Sequence, residues 1–203
     1  MKKLVIIGAS AMGRETFAYA SDCGMHVKGF LDSRKRVLDA FTGYPPILSS
    51  VEDYHVQEED VFVCAIGEPN IKLHYATIIT SRGGRFVTII HPSAYIGMNV
   101  EIGLGCIICP KSVITNDSII EDHVIVNVSA SINHDNHIGL GATICPGCNL
   151  AGRVTIGASC FIATGSVLIP DVKLGEGVYV AAGSVVVKSY ESGRIMGIPA
   201  KPK

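Results

Sequence analysis

The sequence predicts a two-part fold: a short α/β domain over residues 1–87, then an all-β solenoid over residues 88–203. Three observations predict it. Every sixth residue from Ile90 to Val186 is Ile, Val or Leu, without an insertion or a miss. Ahead of that run, the apolar segment Lys3 to Ile7 leads into Gly8-Ala9-Ser10-Ala11-Met12-Gly13, a glycine turn of the kind that joins a strand to a helix. The repeat begins near residue 88, which leaves about 85 residues in front of it, the length of a small domain.

In the first part, Lys3 to Ile7 reads as a buried strand, Arg14 to Cys23 as a helix closing at Gly24, and Val27 to Leu31 as a second strand ending at Asp32. Gly43-Tyr44-Pro45-Pro46 is loop chemistry. Val61 to Ile66 reads as a third strand ending at Gly67, Pro69 to Ser81 as a helix, and Phe86 to Ile90 as a further strand. The order is βαβ, then βαβ. A glycine turn ahead of a helix points free backbone N–H groups at an anion, so a phosphate is its natural occupant and a plain β–α turn the alternative. The dinucleotide fingerprint has glycine where this chain has Ser10, and a dinucleotide fold needs two such halves, so NAD is not expected. Asp32, twenty-four residues after Gly8, stands where an acidic side chain can accept hydrogen bonds from a ribose or base.

In the second part, a strict period of six fits neither a helix nor a flat strand and requires a chain that makes a short strand, turns and starts again. Stacked repeats of that kind form a β-solenoid. Two residues before each aliphatic the slot is small or β-branched, as at Cys106, Ser112, Ala130 and Cys160, which suits a tight corner. Gly97, Gly103, Gly139, Gly157 and Gly175 follow the aliphatic directly, where a turning backbone can exploit the missing Cβ. Residues 88–186 make about five and a half coils of 18 residues. A mean hydropathy of +0.37 with 17% charged residues leaves more apolar surface than one slender solenoid hides, which argues for burial between subunits.

A net charge of −1 and a pI near 6.6 give no basic stripe for nucleic acid. No apolar run reaches the ~18 residues of a membrane span. Met1-Lys2-Lys3 is followed by only four apolar residues before Gly8, which does not read as a signal peptide. A cytoplasmic protein without nucleic-acid or membrane partners is the expectation. Of the seven cysteines, Cys106, Cys148 and Cys160 occupy the small slot and Cys109 and Cys145 follow the aliphatic, so all read as reduced packing residues. Among the histidines, His26, His55, His74 and His91 lie in or beside the first part without catalytic spacing. His123, His134 and His137 fall inside the repeat, each a surface residue or a base. His134 and His137 lie three apart, with His123 eleven residues before His134, which does not resemble a metal-ligand set.

Hexads of this kind resemble the hexapeptide-repeat acyltransferases, whose domain is a left-handed parallel β-helix with three hexads per coil and which assemble as trimers. A short Rossmann-like domain ahead of such a solenoid is similar, over nearly the whole chain, to the NeuD/PglD-like bacterial sugar acetyltransferases. The resemblance implies transfer of an acetyl group from acetyl-CoA to the amino group of a nucleotide-linked amino sugar of the UDP-4-amino-sugar type, with O-acetylation of a sialic-acid-like sugar as the alternative. It places the nucleotide sugar at Ser10, Ala11, Met12, Asp32, Ser33 and Gly67, with Met12 standing where the family often has histidine. The stretch Asn127 to Asp135 matches the family segment that carries the general base, which falls on His134, with Asp135 as its orienting partner. No catalytic counterpart exists for His137. The pantetheine arm is expected to pass Thr143, Gly152, Thr164 and Ala182 in a groove between two subunits, with a backbone N–H near Gly152 as the oxyanion donor. Thr143 is histidine in some relatives. The tail Met196 to Lys201 lies near the coenzyme or simply caps the last coil.

Overall fold

The computed structural model describes residues 2–202, so Met1 and Lys203, the outer ends of the two expected domains, lie outside the described residues. The first part is a five-stranded, wholly parallel sheet in the order β3-β2-β1-β4-β5, built from β1 (Lys3–Ile7), β2 (Val27–Leu31), β3 (Ile47–Ser49), β4 (Asp60–Cys64) and β5 (Arg85–Phe86). Apart from charged residues near their starts, β1, β2 and β4 are apolar because helices or the solenoid cover both faces of the sheet. Leu4, Ile6, Phe30 and Val63 pack on one side with Tyr19 and Ala20 of α1 (Ala11–Asp22), and with Ile89, Ile107 and Ile125 of the solenoid. Val5, Ile7, Leu31 and Phe62 pack on the other side with Ala76 and Ile79 of α2 (Pro69–Ser81).

Both helices were legible, and α1 begins three residues earlier than the apolar pattern suggests. Ser10 is its N-cap but makes no side-chain cap bond, so the first-turn N–H groups stay free. Gly13 is required by the sheet, because a Cβ there would run into the Gly8 carbonyl. At α2, the Glu68 carboxylate accepts from the Ile71 N–H at 2.7 Å. Two strand expectations change. Ile47–Ser49, hidden behind Pro45-Pro46, joins the sheet edge, and the single strand expected over Phe86 to Ile90 is split. Its first part is β5, and its end is β6 (Ile89–Ile90), the opening strand of the solenoid.

Seventeen two-residue strands, β6 to β22 (Val185–Val186), wind into a parallel β-helix with three flat faces. Register advances by one coil at a time, so Ile90 sits over Ile108, then Val126, Ile144, Ile162 and Val180. From Ile108 to Val186 the sixth-residue aliphatics are essentially inaccessible, each contributing about 1.5–3 kcal/mol of burial, while Ile90 at the open end is 39% exposed. The small slots point inward, with Cys106, Ser112, Ala130 and Cys160 fully buried. The glycine expectation needs correction. The left-handed residue is the third after the aliphatic, as at Asn99, His123 and Asp135 with φ near 56–59°, and Gly97, Gly103, Gly139, Gly157 and Gly175 are not left-handed. They are glycine because the next coil is too close: a Cβ on Gly157 would lie 2.6 Å from the Gly175 carbonyl carbon.

The first face carries β6 and is the one roofed by the α/β domain. Past Thr143 the roof ends, and Phe161 and Tyr179 stack on each other at 5.3 Å with Arg194 over the Tyr179 ring at 4.1 Å. The tail forms β23 (Arg194–Gly197), which extends this face, and β24 (Ala200–Pro202), which returns antiparallel to it. No helix is long and apolar enough to cross a membrane among the described residues.

Candidate active site

The glycine turn opens a cavity of about 230 Å³ at the carboxyl ends of β1 and β2, lined by Gly8, Ser10, Leu31, Asp32, Ser33, Arg34, Val51, Ile66, Ile71 and Tyr75. Of the six residues expected to hold a nucleotide sugar, Ser10, Asp32 and Ser33 line it. Ala11 and Met12 sit on the first turn of α1 outside the lining, with Met12 packed toward the hydrophobic core, and the Gly67 carbonyl accepts a hydrogen bond from Thr143 at 2.8 Å. Asp32 is not free. Its Oδ2 accepts from the Ala9 N–H at 3.0 Å and from Arg34 Nη2 at 2.8 Å, and its Oδ1 accepts from the Arg34 N–H at 3.0 Å and from Nε at 2.9 Å. Burial alone would raise this carboxyl, but the Arg34 guanidinium and the Ala9 and Arg34 N–H groups outweigh it and hold it below the usual carboxylate range.

His134 lies at the corner between the second and third faces, and its Nδ1 is 2.6 Å from Asp135 Oδ2. Asp135 occupies the left-handed turn position, φ 59°, which swings its carboxylate beside the ring. One coil on, Gly152 leaves room for the imidazole: a Cβ there would be 2.5 Å from Cε1 and 2.6 Å from Nε2. Beneath the corner, Asn136 donates to the Asn133 and Ala151 carbonyls and accepts from the Val154 N–H, which fixes two coils together. The ring is 53% exposed, and with Nδ1 occupied by Asp135 the free nitrogen is Nε2, which lies over Gly152. Such an imidazole can take a proton from a docked amine or hydroxyl.

The expected coenzyme contacts divide. Gly152 shares the His134 corner. Thr164 and Ala182 are exposed on the corner between the first and second faces, one coil apart, with the Gly183 N–H donating to the Thr164 carbonyl at 2.9 Å. Thr143 is a correction to the sequence expectation. It is 1% exposed beneath α2, donating to Gly67 and accepting from Lys72 Nζ at 2.9 Å, so its hydroxyl is committed to the junction between the two parts. Lys72 itself is fully buried without a carboxylate partner, and burial pushes its ammonium down to about 8.

The other histidines have separate occupations. His137 Nε2 pairs with Glu121 Oε1 at 2.6 Å on the third face. His123 packs edge-on against Phe86 at 4.7 Å, its Nδ1 unpartnered and its basicity lowered by burial. Among the described residues no group of three or more His, Cys, Asp or Glu is arranged to hold a metal. All seven cysteines are free thiols, and burial pushes Cys109 and Cys145 up to about 12, which suppresses the thiolate a nucleophile requires.

Comparison with known proteins places both parts. Residues 3–79 match the family described as PglD N-terminal domain, and residues 153–188 match the bacterial transferase hexapeptide family. The chain is thus similar to PglD over its first part and to hexapeptide transferases over part of its solenoid. Among solved structures, the acetyltransferase domain of PglB from Neisseria gonorrhoeae FA1090 superposes with a TM-score of 0.92 at 29% identity, covering 100% of both chains. The same domain has been solved in complex with acetyl coenzyme A. PerB from Caulobacter crescentus, solved in complex with CoA and GDP-perosamine, also gives a TM-score of 0.92 at 29% identity, over 100% of this chain and 98% of that one.

Within this PglD-like frame, Arg34, Tyr75 and Lys72 are the residues that sequence reasoning missed. A cation two residues past a strand-ending aspartate was a usable signal for Arg34. Tyr75 and Lys72 are helix residues whose destinations depend on how α2 docks, and nothing local announces that.

Proposed function

We propose that this PglD-like chain transfers an acetyl group from acetyl-CoA to the amino group of a nucleotide-linked sugar of the UDP-4-amino-sugar type, with His134 as general base. The observation that carries the proposal is the His134–Asp135 pair seated over Gly152, in a chain that also holds a glycine-turn cavity. PerB, similar over nearly its full length, is described with CoA and GDP-perosamine, itself a nucleotide-linked amino sugar.

Asp135 holds Nδ1–H, which leaves the Nε2 lone pair to remove a proton from the neutral amine as it attacks. The amine nitrogen bonds to the thioester carbonyl carbon and the carbonyl π electrons move to oxygen. A backbone N–H in the Ala151–Arg153 stretch is the candidate donor to that oxyanion. When the tetrahedral adduct collapses, the C–S bond breaks, the thiolate leaves with the electron pair, and the imidazolium returns the proton to sulfur. The raised cysteine thiols favour this direct route over an acyl-enzyme.

The arrangement favours a site shared between copies. The α/β domain with its cavity roofs the first face, whereas His134 stands at the opposite corner of the triangular coil. A cavity on one copy and His134 on the next meet when solenoids pack side by side, as in the trimer that the hexapeptide repeat suggests, with Thr164 and Ala182 lining the groove for the pantetheine arm. Exposed Tyr95, Met98, Leu104 and Ile119 supply apolar surface for such packing.

The test is thiol release from acetyl-CoA against UDP-, GDP- and dTDP-linked amino sugars, with free sialic acid alongside. Turnover of a nucleotide amino sugar that falls by about 10²–10⁴ in His134→Ala, with the fold intact, supports the proposal. Turnover with the free sugar alone transfers the assignment to O-acetylation and refutes the nucleotide role of the cavity.

A further inference from the structure

The cavity has an unusual balance of donors and acceptors at the end of β2. A carboxylate offers about four acceptor positions, and four hydrogen bonds already reach Asp32: one from the Ala9 N–H and three from the backbone and guanidinium of Arg34. The acid that sequence logic assigns to hydrogen bonding with a ribose or base therefore has no acceptor capacity to spare. Arg34 does have capacity. Two of the guanidinium's donors are bound to Asp32, and the remaining N–H groups belong to a side chain that is 61% exposed and lines the cavity. Facing it are the Tyr75 ring and the apolar side chains Leu31, Val51, Ile66 and Ile71, a flat-sided setting that suits a planar ring.

A nucleotide with its phosphates at the glycine turn carries its base past the carboxyl end of β2, where Arg34 sits. Resting on the nucleotide-sugar proposal above, we infer that Arg34 is the specificity-determining residue for the base. It admits a base that presents a carbonyl oxygen (O6 or O4) on its major-groove edge and refuses one that presents an amino group at that same position. Guanine offers O6 and N7 to a guanidinium fork, and uracil and thymine offer O4. Adenine N6 and cytosine N4 bring donors against a donor, with Asp32 too occupied to receive them, so their desolvation goes uncompensated. The Arg34–Asp32 pair thus acts as one unit: the arginine reads the base and, by saturating the aspartate, silences the group that would read the opposite pattern.

Calorimetric titration of the intact protein, without CoA, with UDP, GDP, dTDP, CDP and ADP tests this for the wild type, Arg34→Ala and Arg34→Lys. Wild type is expected to bind the keto-base set at least about tenfold more tightly than ADP and CDP. In Arg34→Ala that ratio collapses to about one or inverts, because Asp32 is released to accept amino hydrogens. Arg34→Lys keeps the positive charge but lacks the fork, so its keto-base ratio falls below that of wild type while phosphate-driven affinity is retained. Equal binding of ADP and the keto-base nucleotides by wild type, or an unchanged ratio in Arg34→Ala, overturns the inference while leaving the nucleotide-sugar proposal standing. Failure of all five nucleotides to bind overturns both.

Discussion

Replacing Gly152 with Ala separates the position of the proposed catalytic ring, His134, from everything else at the corner. The new Cβ falls 2.5 Å from His134 Cε1 and 2.6 Å from Nε2, distances at which something must shift. The coil does not need to give, because Gly152 lies outside the left-handed region and the imidazole is half exposed, held by one hydrogen bond to Asp135. Losing that bond costs about 0.5–1.5 kcal/mol. Replacing glycine recovers about 0.4–1 kcal/mol through the unfolded chain. The melting temperature should therefore move by no more than about 2–4 °C. The catalytic effect is far larger, since displacing a reacting group by about 1 Å costs on the order of 10²-fold. The Ala variant keeps the backbone N–H at residue 152, so any oxyanion donation there survives and the loss reports on the ring. Thiol-release kcat/KM beside a thermal melt reads both quantities. Activity within about threefold of wild type in a folded Gly152→Ala protein would refute the placement of the base at His134.

Two further outcomes follow from the burial pattern. Lys72 has a folded pKa of about 8 against an ordinary 10.5, so over that window the unfolded chain binds more protons than the folded one and stability rises with pH. The difference in unfolding free energy between wild type and Lys72→Met should shift by about 3 kcal/mol in favour of wild type across that window, measured by urea denaturation; a flat difference contradicts the buried ammonium. Iodoacetamide at pH 7.5 should leave turnover unchanged, because the thiols of Cys109 and Cys145 are held near 12 by burial, and rapid inactivation traced to either residue contradicts the direct-attack route.

The period of six made the solenoid legible because each coil repeats the same local problem, and the solution found at Ile108 recurs one coil on at Val126 and again at Ile144. The glycine turn, α2 and the end of β2 were legible for similar reasons of local chemistry. The function of glycine after the aliphatic was not, because the constraint on Gly157 comes from Gly175 in the next coil, eighteen residues away. Nor was the fate of Thr143, whose hydroxyl is fixed by Lys72 and Gly67 more than seventy residues earlier. Asp32 shows a subtler limit. Its position was foreseen, and its neighbour Arg34 was in plain view, but only side-chain geometry reveals that the pair is closed. His134, Asp135 and Gly152 were placed by resemblance, and the structure adds the packing reason that unites them: the ring needs the space that glycine leaves.

A mixed-oligomer complementation measures the central claim most directly. His134→Ala removes the base, and Ile71→Trp fills the cavity from the face of α2; each alone is expected to be inactive. When the two variants are dissociated, mixed in equal amounts and reassembled, a site built from the cavity of one copy and His134 of its neighbour recovers about a quarter of wild-type turnover by random assembly. Mixed oligomers that form but remain inactive would place the cavity and His134 of a working site on the same copy, contradicting the shared site.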